Sequence, residues 1–185
     1  FQGNAIPIRT LAPLYNNFNH LVTVEGTGIT TLADLKGKRV STGPPGSGTE
    51  ITALRILEAA GIDPNRDFRR DRLAPAESAD AIKDRRMDAF FWSGGLPTPA
   101  VLDLATTPGM RIRLVPLDST LAALQRKYGN LYFRAVMLKD YYPGAPADTP
   151  TVGVANILVV HRDFDEGLAY QITKLLFDRR AELVL

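Results

Sequence analysis

Apolar residues along this chain switch between two spacings, and the switches mark out its elements. Residues 10–15 and 21–25 are short apolar runs that read as strands, with the polar pair Asn16-Asn17 as a turn between them. Residues 30–35 read as a helical turn stopped by Gly37, and 38–42 as a strand. Residues 49–60 place Ile51, Leu54, Ile56 and Leu57 at roughly helical spacing, with Gly61 as the stop. A second helix over 76–85 carries Ala79 and Ile82 on one side and charges on the other. A strand over 87–92 then ends in Ser93-Gly94-Gly95, a third helix covers 98–105, and 111–117 is a further strand. Beyond Asp118 come a helix to Lys127, a turn-rich stretch over 141–150, an apolar strand over 151–161 and a closing helix over 163–179. Strand and helix alternating at this rhythm predict βαβ units, hence an α/β fold of mostly parallel sheets flanked by helices. Such sheets bind ligands beyond the carboxyl ends of their strands, which singles out the glycine-rich loops 42–49 and 92–97.

The first loop, Gly43-Pro44-Pro45-Gly46-Ser47-Gly48-Thr49-Glu50, comes close to a nucleotide-binding P-loop and departs from it informatively. That pattern needs a lysine for the phosphates and a hydroxyl for magnesium. Here Thr49 stands in the lysine position and Glu50 in the hydroxyl position. A carboxylate there repels a triphosphate, which excludes an ATPase or GTPase. The backbone logic survives. A glycine-rich turn at a helix N-terminus offers unpaired N–H donors and the positive end of a helix dipole, a seat for a small carboxylate. Ser47-x-x-Glu50 also reads as a capping box, with Ser47 bonding the amide of Glu50 and Glu50 reaching back to Ser47. Cap alone and cap with ligand seat are both compatible with these residues.

Composition narrows the classes. The 185 residues are 45% hydrophobic and 23% charged, ordinary for a folded domain or two small lobes. Twenty-two basic against 20 acidic residues give a net charge of +2, with no nucleic-acid footprint; Arg69, Arg70 and Arg72 read as a solvated face. With no cysteine, thiolate zinc sites, iron–sulfur clusters, disulfides and a cysteine nucleophile are excluded. No run is long enough to span a membrane as a helix. Phe1-Gln2-Gly3 reads as the remnant of a protease site and carries no structural weight.

No catalytic set emerges. His20 and His161 lie beside apolar strands, without the spacing of a metal or base motif, and read as strand-end hydrogen bonders. Ser47 lacks the G-x-S-x-G elbow of a hydrolase. Asp163, Asp165 and Glu166 read as helix N-terminal charges, and the remaining acids are too dispersed to hold a metal. The consecutive aromatics Phe90, Phe91 and Trp92 cannot share one face of a strand. Two are expected in the core, leaving Trp92 or Phe91 to wall a pocket, as Tyr15 does from the end of its own run.

Together these segments resemble the TAXI-type solute-binding proteins of TRAP transporters, a branch of the type II periplasmic binding proteins. The resemblance is carried by residues 9–15 (RTLAPLY), 20–22 (HLV), 32–41 (LADLKGKRVS), 43–50 (GPPGSGTE), 54–61 (LRILEAAG) and 88–91 (DAFF), with Tyr142-Pro143-Gly144 and Pro150-Thr151-Val152 later on. LADLKGKRV alone is shared by many type II lobes; followed by GPPGSGTE and DAFF it is specific. Members of that family begin with a further strand–helix unit and glycine-rich loop, so the resemblance implies that an N-terminal part is missing here. It implies two lobes around a cleft, the first from residues 1–25 and 118–185 and the second from 26–117. The ligand residues it implies are Tyr15, Gly46, Ser47, Gly48, Thr49, Phe91, Trp92, Gly94 and Pro97, with no metal and no cofactor.

The implied activity is capture without chemistry. A periplasmic, monomeric receptor whose signal peptide has been removed would take up glutamate, a related amino acid or a C4-dicarboxylate and deliver it to TRAP permease subunits. The alternative on the same fold is the ligand-sensing effector domain of a LysR-type transcription regulator, which needs a DNA-binding helical domain upstream. An enzyme on a related fold, such as a pyrimidine-precursor synthase, is disfavoured because cysteine and a clustered histidine set are absent.

Overall fold

The computed structural model describes residues 6–183, so Phe1-Gln2-Gly3 lies outside it. Its strands are β1 (Ile8–Val24), β2 (Arg39–Ser41), β3 (Arg69–Asp71), β4 (Ala89–Gly94), β5 (Ile112–Leu114), β6 (Tyr132–Met137) and β7 (Thr149–His161). Its helices are α1 (Gly48–Ala59), α2 (Pro75–Lys83), α3 (Pro99–Thr106), α4 (Leu121–Tyr128), α5 (Glu166–Asp178) and α6 (Arg180–Leu183). The strands form one mixed sheet in the order β3-β2-β4-β1-β7-β6, with β5 also paired to β1. β3–β2–β4 pair in parallel, whereas β1 runs antiparallel to β4 and β5, and β6 antiparallel to β7. The mixed α/β class agrees with the alternation in the sequence. The parallel part is the βαβ portion that carries both glycine-rich loops.

Asn16 and Asn17 form no turn, because they lie within β1, a single strand of 17 residues. From Phe18 onward β1 is held by the β4 ladder, Phe18 opposite Gly94 and Val22 opposite Phe90. Two strands, β3 and β6, have no counterpart among the elements read from the sequence. β3 reads Arg-Arg-Asp and has no apolar run, whereas β6 reads Tyr-Phe-Arg-Ala-Val-Met, an apolar run that the sequence reading passed over.

By their internal contacts the residues form two compact units, Asn16–Val154 and the segments Phe1–Tyr15 with Ala155–Leu185. The lobe boundaries expected at 25/26 and 117/118 do not coincide with these. Residues 18–24 pair with β4 and β5, and Leu117 donates its N–H to the Pro150 carbonyl, so 16–25 and 118–154 pack with 26–117. In the second unit, Asp165 caps α5 by accepting the Leu168 N–H at 2.7 Å, the helix N-terminal role expected of it.

Within 16–154 the sheet is covered on both faces, which explains why its central strands are apolar without alternation. Leu21 and Phe91 point to one face, with Ala53, Ile56 and Leu57 of α1 and Leu124 of α4. Val22 and Phe90 point to the other, with Ala79 and Ile82 of α2 and Val101 and Leu104 of α3. Phe90 is fully buried on the central strand β4. Phe90→Ala is expected to lower unfolding stability by about 3–5 kcal/mol through lost transfer energy and the cavity left behind. Urea unfolding should show a lower midpoint with an unchanged slope.

Candidate functional site

Because β2, β3 and β4 run parallel, their carboxyl ends bring three segments to one side: the loop 42–48, Arg72 and the loop 95–98. Gly43 begins the first loop at φ +93°, a left-handed conformation that favours glycine. A Cβ there would lie 2.5 Å from the Thr49 Cγ2, so glycine also lets the loop close against its own helix. Ser47 caps α1, its hydroxyl accepting the Glu50 N–H at 3.1 Å and donating to the Pro44 carbonyl at 2.7 Å. This half of the capping box is as expected. The reciprocal half is not, because the Glu50 carboxylate accepts from the Gly46 N–H at 2.7 Å, while the Ser47 N–H donates to Pro44.

Glu50 does more than cap. Its side chain is only 8% exposed and accepts from Arg70 Nη2 at 2.6 Å, Arg72 Nε at 2.6 Å and Arg72 Nη2 at 3.1 Å. Arg70 also donates through Nε to the Thr42 hydroxyl at 2.9 Å. Arg70 and Arg72 are therefore not a solvated face. Two residues apart, at and just beyond the end of an edge strand, they reach the same carboxylate; that spacing was the signal available in the sequence. The Arg72 guanidinium, followed by the Gly46 amide, holds the Glu50 carboxyl below its ordinary value of 4.5 against the upward push of burial.

The second loop is tied to the first and to the core. Ser93 donates its N–H to the Thr49 hydroxyl at 3.3 Å, joining β4 to the N-terminus of α1. The Trp92 indole donates to the Thr98 hydroxyl at 3.0 Å, which donates onward to the Gly95 carbonyl at 2.9 Å. The Thr98 N–H donates to the Tyr142 hydroxyl at 2.9 Å, and that hydroxyl lies 3.0 Å from His20 Nε2. His20 is completely buried, and desolvation pushes its pKa from 6.5 down to about 4.

The structure thus joins Thr49, at the start of α1, to Ser93, which lies between Trp92 and Gly94 in β4, while the Trp92 ring packs on the sheet face of α2 and α3. Gly46 spends its N–H on Glu50, and the Ser47 hydroxyl and N–H are both engaged locally. The amides of Gly48 and Thr49 have no acceptor among the described residues. Trp92 is half-buried, and Gly94 lies directly under its indole, where a Cβ would come within 2.5 Å of Nε1. Pro97 is exposed. Phe91 is a correction: it packs into the core beside Leu21 and Leu57 at 3% exposure and offers no pocket wall. Tyr15 is exposed and belongs to the other compact unit. Sequence reasoning missed Arg70, Arg72, Thr98 and Tyr142, whose partners come from distant parts of the chain.

Fold and site define a mixed α/β protein with paired glycine-rich loops at the carboxyl ends of parallel strands. The chain belongs to the NMT1-like family, whose model matches residues 1–184. Among solved structures it is similar to an arginine transport-system periplasmic binding protein from Legionella pneumophila, with TM-score 0.52 and 14% identity over 94% of this chain and 60% of that one. It is also similar to the holo form of ArgBP from T. maritima, with TM-score 0.47 and 14% identity over 94% and 57%. A probable amino-acid ABC transporter extracellular-binding protein from Bacillus subtilis gives TM-score 0.48 and 17% identity over 94% and 58%. The chain spans less than two thirds of the length of each.

Acid should destabilise the protein in two windows. Unfolded His20 takes up a proton near pH 6.5 that the buried ring accepts only near pH 4. Its contribution, on the order of 3 kcal/mol, is full above pH 6.5 and disappears as pH falls toward 4. Glu50 is depressed, so its contribution is full above about pH 4.5 and is lost as pH falls through its lowered folded value. His20→Gln should therefore flatten the stability profile between pH 6.5 and 4.5, as read by thermal melts across that range. Glu50→Gln at pH 7 leaves Arg70 and Arg72 without their shared carboxylate and should cost about 1–3 kcal/mol, well beyond the loss of a cap. An unchanged melting temperature for Glu50→Gln would refute the clamp.

Proposed function

We propose that this chain is part of an extracytoplasmic solute-binding protein that holds a small carboxylate or amino acid, such as glutamate or a C4-dicarboxylate, and delivers it to a membrane permease. The observation that supports this most is the joined pair of loops: two unpaired amides at the start of α1, a half-exposed Arg72 and a half-buried Trp92, all at the carboxyl ends of parallel strands. The Gly46 N–H of the same loop donates to the Glu50 carboxylate at 2.7 Å, and two arginines against one carboxylate leave a net positive charge beside it. The solute would sit on the Gly48 and Thr49 amides with Trp92, Gly94 and Pro97 alongside. Membership of the NMT1-like family and the fold shared with the Legionella periplasmic protein support the receptor reading.

The partner we propose is a TRAP-type permease, on the resemblance carried by LADLKGKRVS, GPPGSGTE and DAFF. Reconstitution with TRAP and with ABC permeases separates this from delivery to an ABC system, since only the cognate permease should give receptor-dependent uptake.

Trp92 is the only tryptophan and so reports on this site alone. Adding L-glutamate or succinate to the purified protein should shift its emission saturably and raise the melting temperature. Nothing lies within 4 Å of a Cβ built on Gly48, so Gly48→Val should fold normally. The added bulk should block approach to the free amides and weaken binding by about 1–3 kcal/mol in calorimetry. Unchanged affinity would move the seat elsewhere, and a broad panel of carboxylates and amino acids without effect would remove the receptor reading.

A further inference from the structure

We infer that Tyr142 is a positioning residue for the loop after β4: its buried hydroxyl, fixed by His20, holds the Thr98 amide and through Thr98 sets the Trp92 indole. This inference rests on the proposed receptor reading for what the loop does, but its structural content stands on the hydrogen bonds themselves. The phenol accepts from the Thr98 N–H, so its single proton is free to go to His20 Nε2. His20 Nε2 then accepts, and Nδ1 carries the ring proton and donates to the Phe18 carbonyl at 2.9 Å. Each group is satisfied once, and the order of donation has a single direction. A protonated His20 would aim a second N–H at the phenol and leave the phenolic hydrogen without its acceptor. Neutral His20 and a correctly oriented Tyr142 are therefore one unit.

A second observation separates this network from ordinary core satisfaction. Thr98 is the N-cap of α3, yet its hydroxyl makes no cap bond. A threonine at this position ordinarily bonds an amide of its own helix. Here the hydroxyl is turned outward, accepting from Trp92 and donating to Gly95. Helix capping is given up for loop shape. The Tyr142–Thr98 bond fixes the backbone from which that hydroxyl projects, and the absence of a side chain on Gly94 leaves the indole room to lie flat against it. The chain of contacts runs from His20 in the core to Trp92, and the next residue, Ser93, reaches Thr49 at the start of α1.

The test uses Tyr142→Phe, which keeps the ring and removes the hydroxyl, with the neighbouring exposed Tyr141→Phe as control. Without any solute, Tyr142→Phe should move Trp92 emission to longer wavelength and increase its quenching by acrylamide, while Tyr141→Phe matches the unsubstituted protein. Nitrogen-15 NMR of the His20 ring should show the Nε2 resonance of the unsubstituted protein shifted once its donor is gone. L-Glutamate titration should then show affinity weakened about 5- to 20-fold in Tyr142→Phe alone. A Tyr142→Phe protein that melts lower yet keeps native Trp92 emission and quenching would overturn the inference and make Tyr142 a packing residue. If neither glutamate nor any other carboxylate binds the unsubstituted protein but the Trp92 signals still shift in Tyr142→Phe, the receptor reading fails and the positioning role stands. Should Tyr142→Phe fail to fold, Thr98→Val removes the hydroxyl that anchors the indole, and native Trp92 emission in that variant overturns the inference equally.

Discussion

The carboxylate of Glu50, in the first turn of α1, ties the loop just before it to arginines 20 and 22 residues further along the chain, in and just beyond β3. A carboxylate this buried is stable only if its charge is answered, and it is answered by one backbone amide and two guanidinium groups. The dependence is mutual. Arg70, itself largely buried, needs Glu50 and the Thr42 hydroxyl to be tolerable, and its reach to both pins the edge strand β3 against the loop. Without the carboxylate, the loop loses its donor–acceptor closure and the edge strand its polar anchor at the same point.

The second loop is held by opposite means. Where Glu50 works through charge, the His20–Tyr142–Thr98 chain is neutral and enclosed by apolar packing, and burial keeps it neutral by depressing the histidine. The Thr49–Ser93 hydrogen bond connects the two systems. Both loops are consequently fixed by internal bonds, which under the proposed receptor reading would reduce the ordering cost of binding.

The sequence showed the fold where periodicity and packing agree and failed where they part. α1, α2 and β4 were legible because their apolar spacing reflects burial against a two-sided sheet, and β7 because it is a long apolar run although its second half is largely open to solvent. β3 was illegible because Arg-Arg-Asp has no apolar face; it is a strand only because β2 lies beside it. The turn expected at Asn16-Asn17 failed because both residues lie inside the continuous strand β1, which the sheet holds extended against local preference. In the site, Ser47 as cap and the glycine-rich loop were visible because capping is local. The arginine partners of Glu50 and the Tyr142 partner of His20 lie 20 or more residues away in sequence, beyond any short motif. Phe91 was misassigned because adjacent aromatics alternate faces, and which one reaches the strand end depends on where the ladder stops.

The direction of the pKa shifts bears on what the site can do. A general acid or base works best when its pKa lies near the working pH. His20 is pushed down to about 4 and Glu50 below 4.5, both away from neutrality. Each is also saturated by internal partners, Glu50 by four donor contacts and His20 by Tyr142 and Phe18. Neither can exchange a proton without losing hydrogen bonds that hold the loop it supports. What faces outward instead is fixed hydrogen-bond donors, a positive charge and an aromatic edge. Under the receptor reading proposed above, such groups hold an anion through fixed donors and charge.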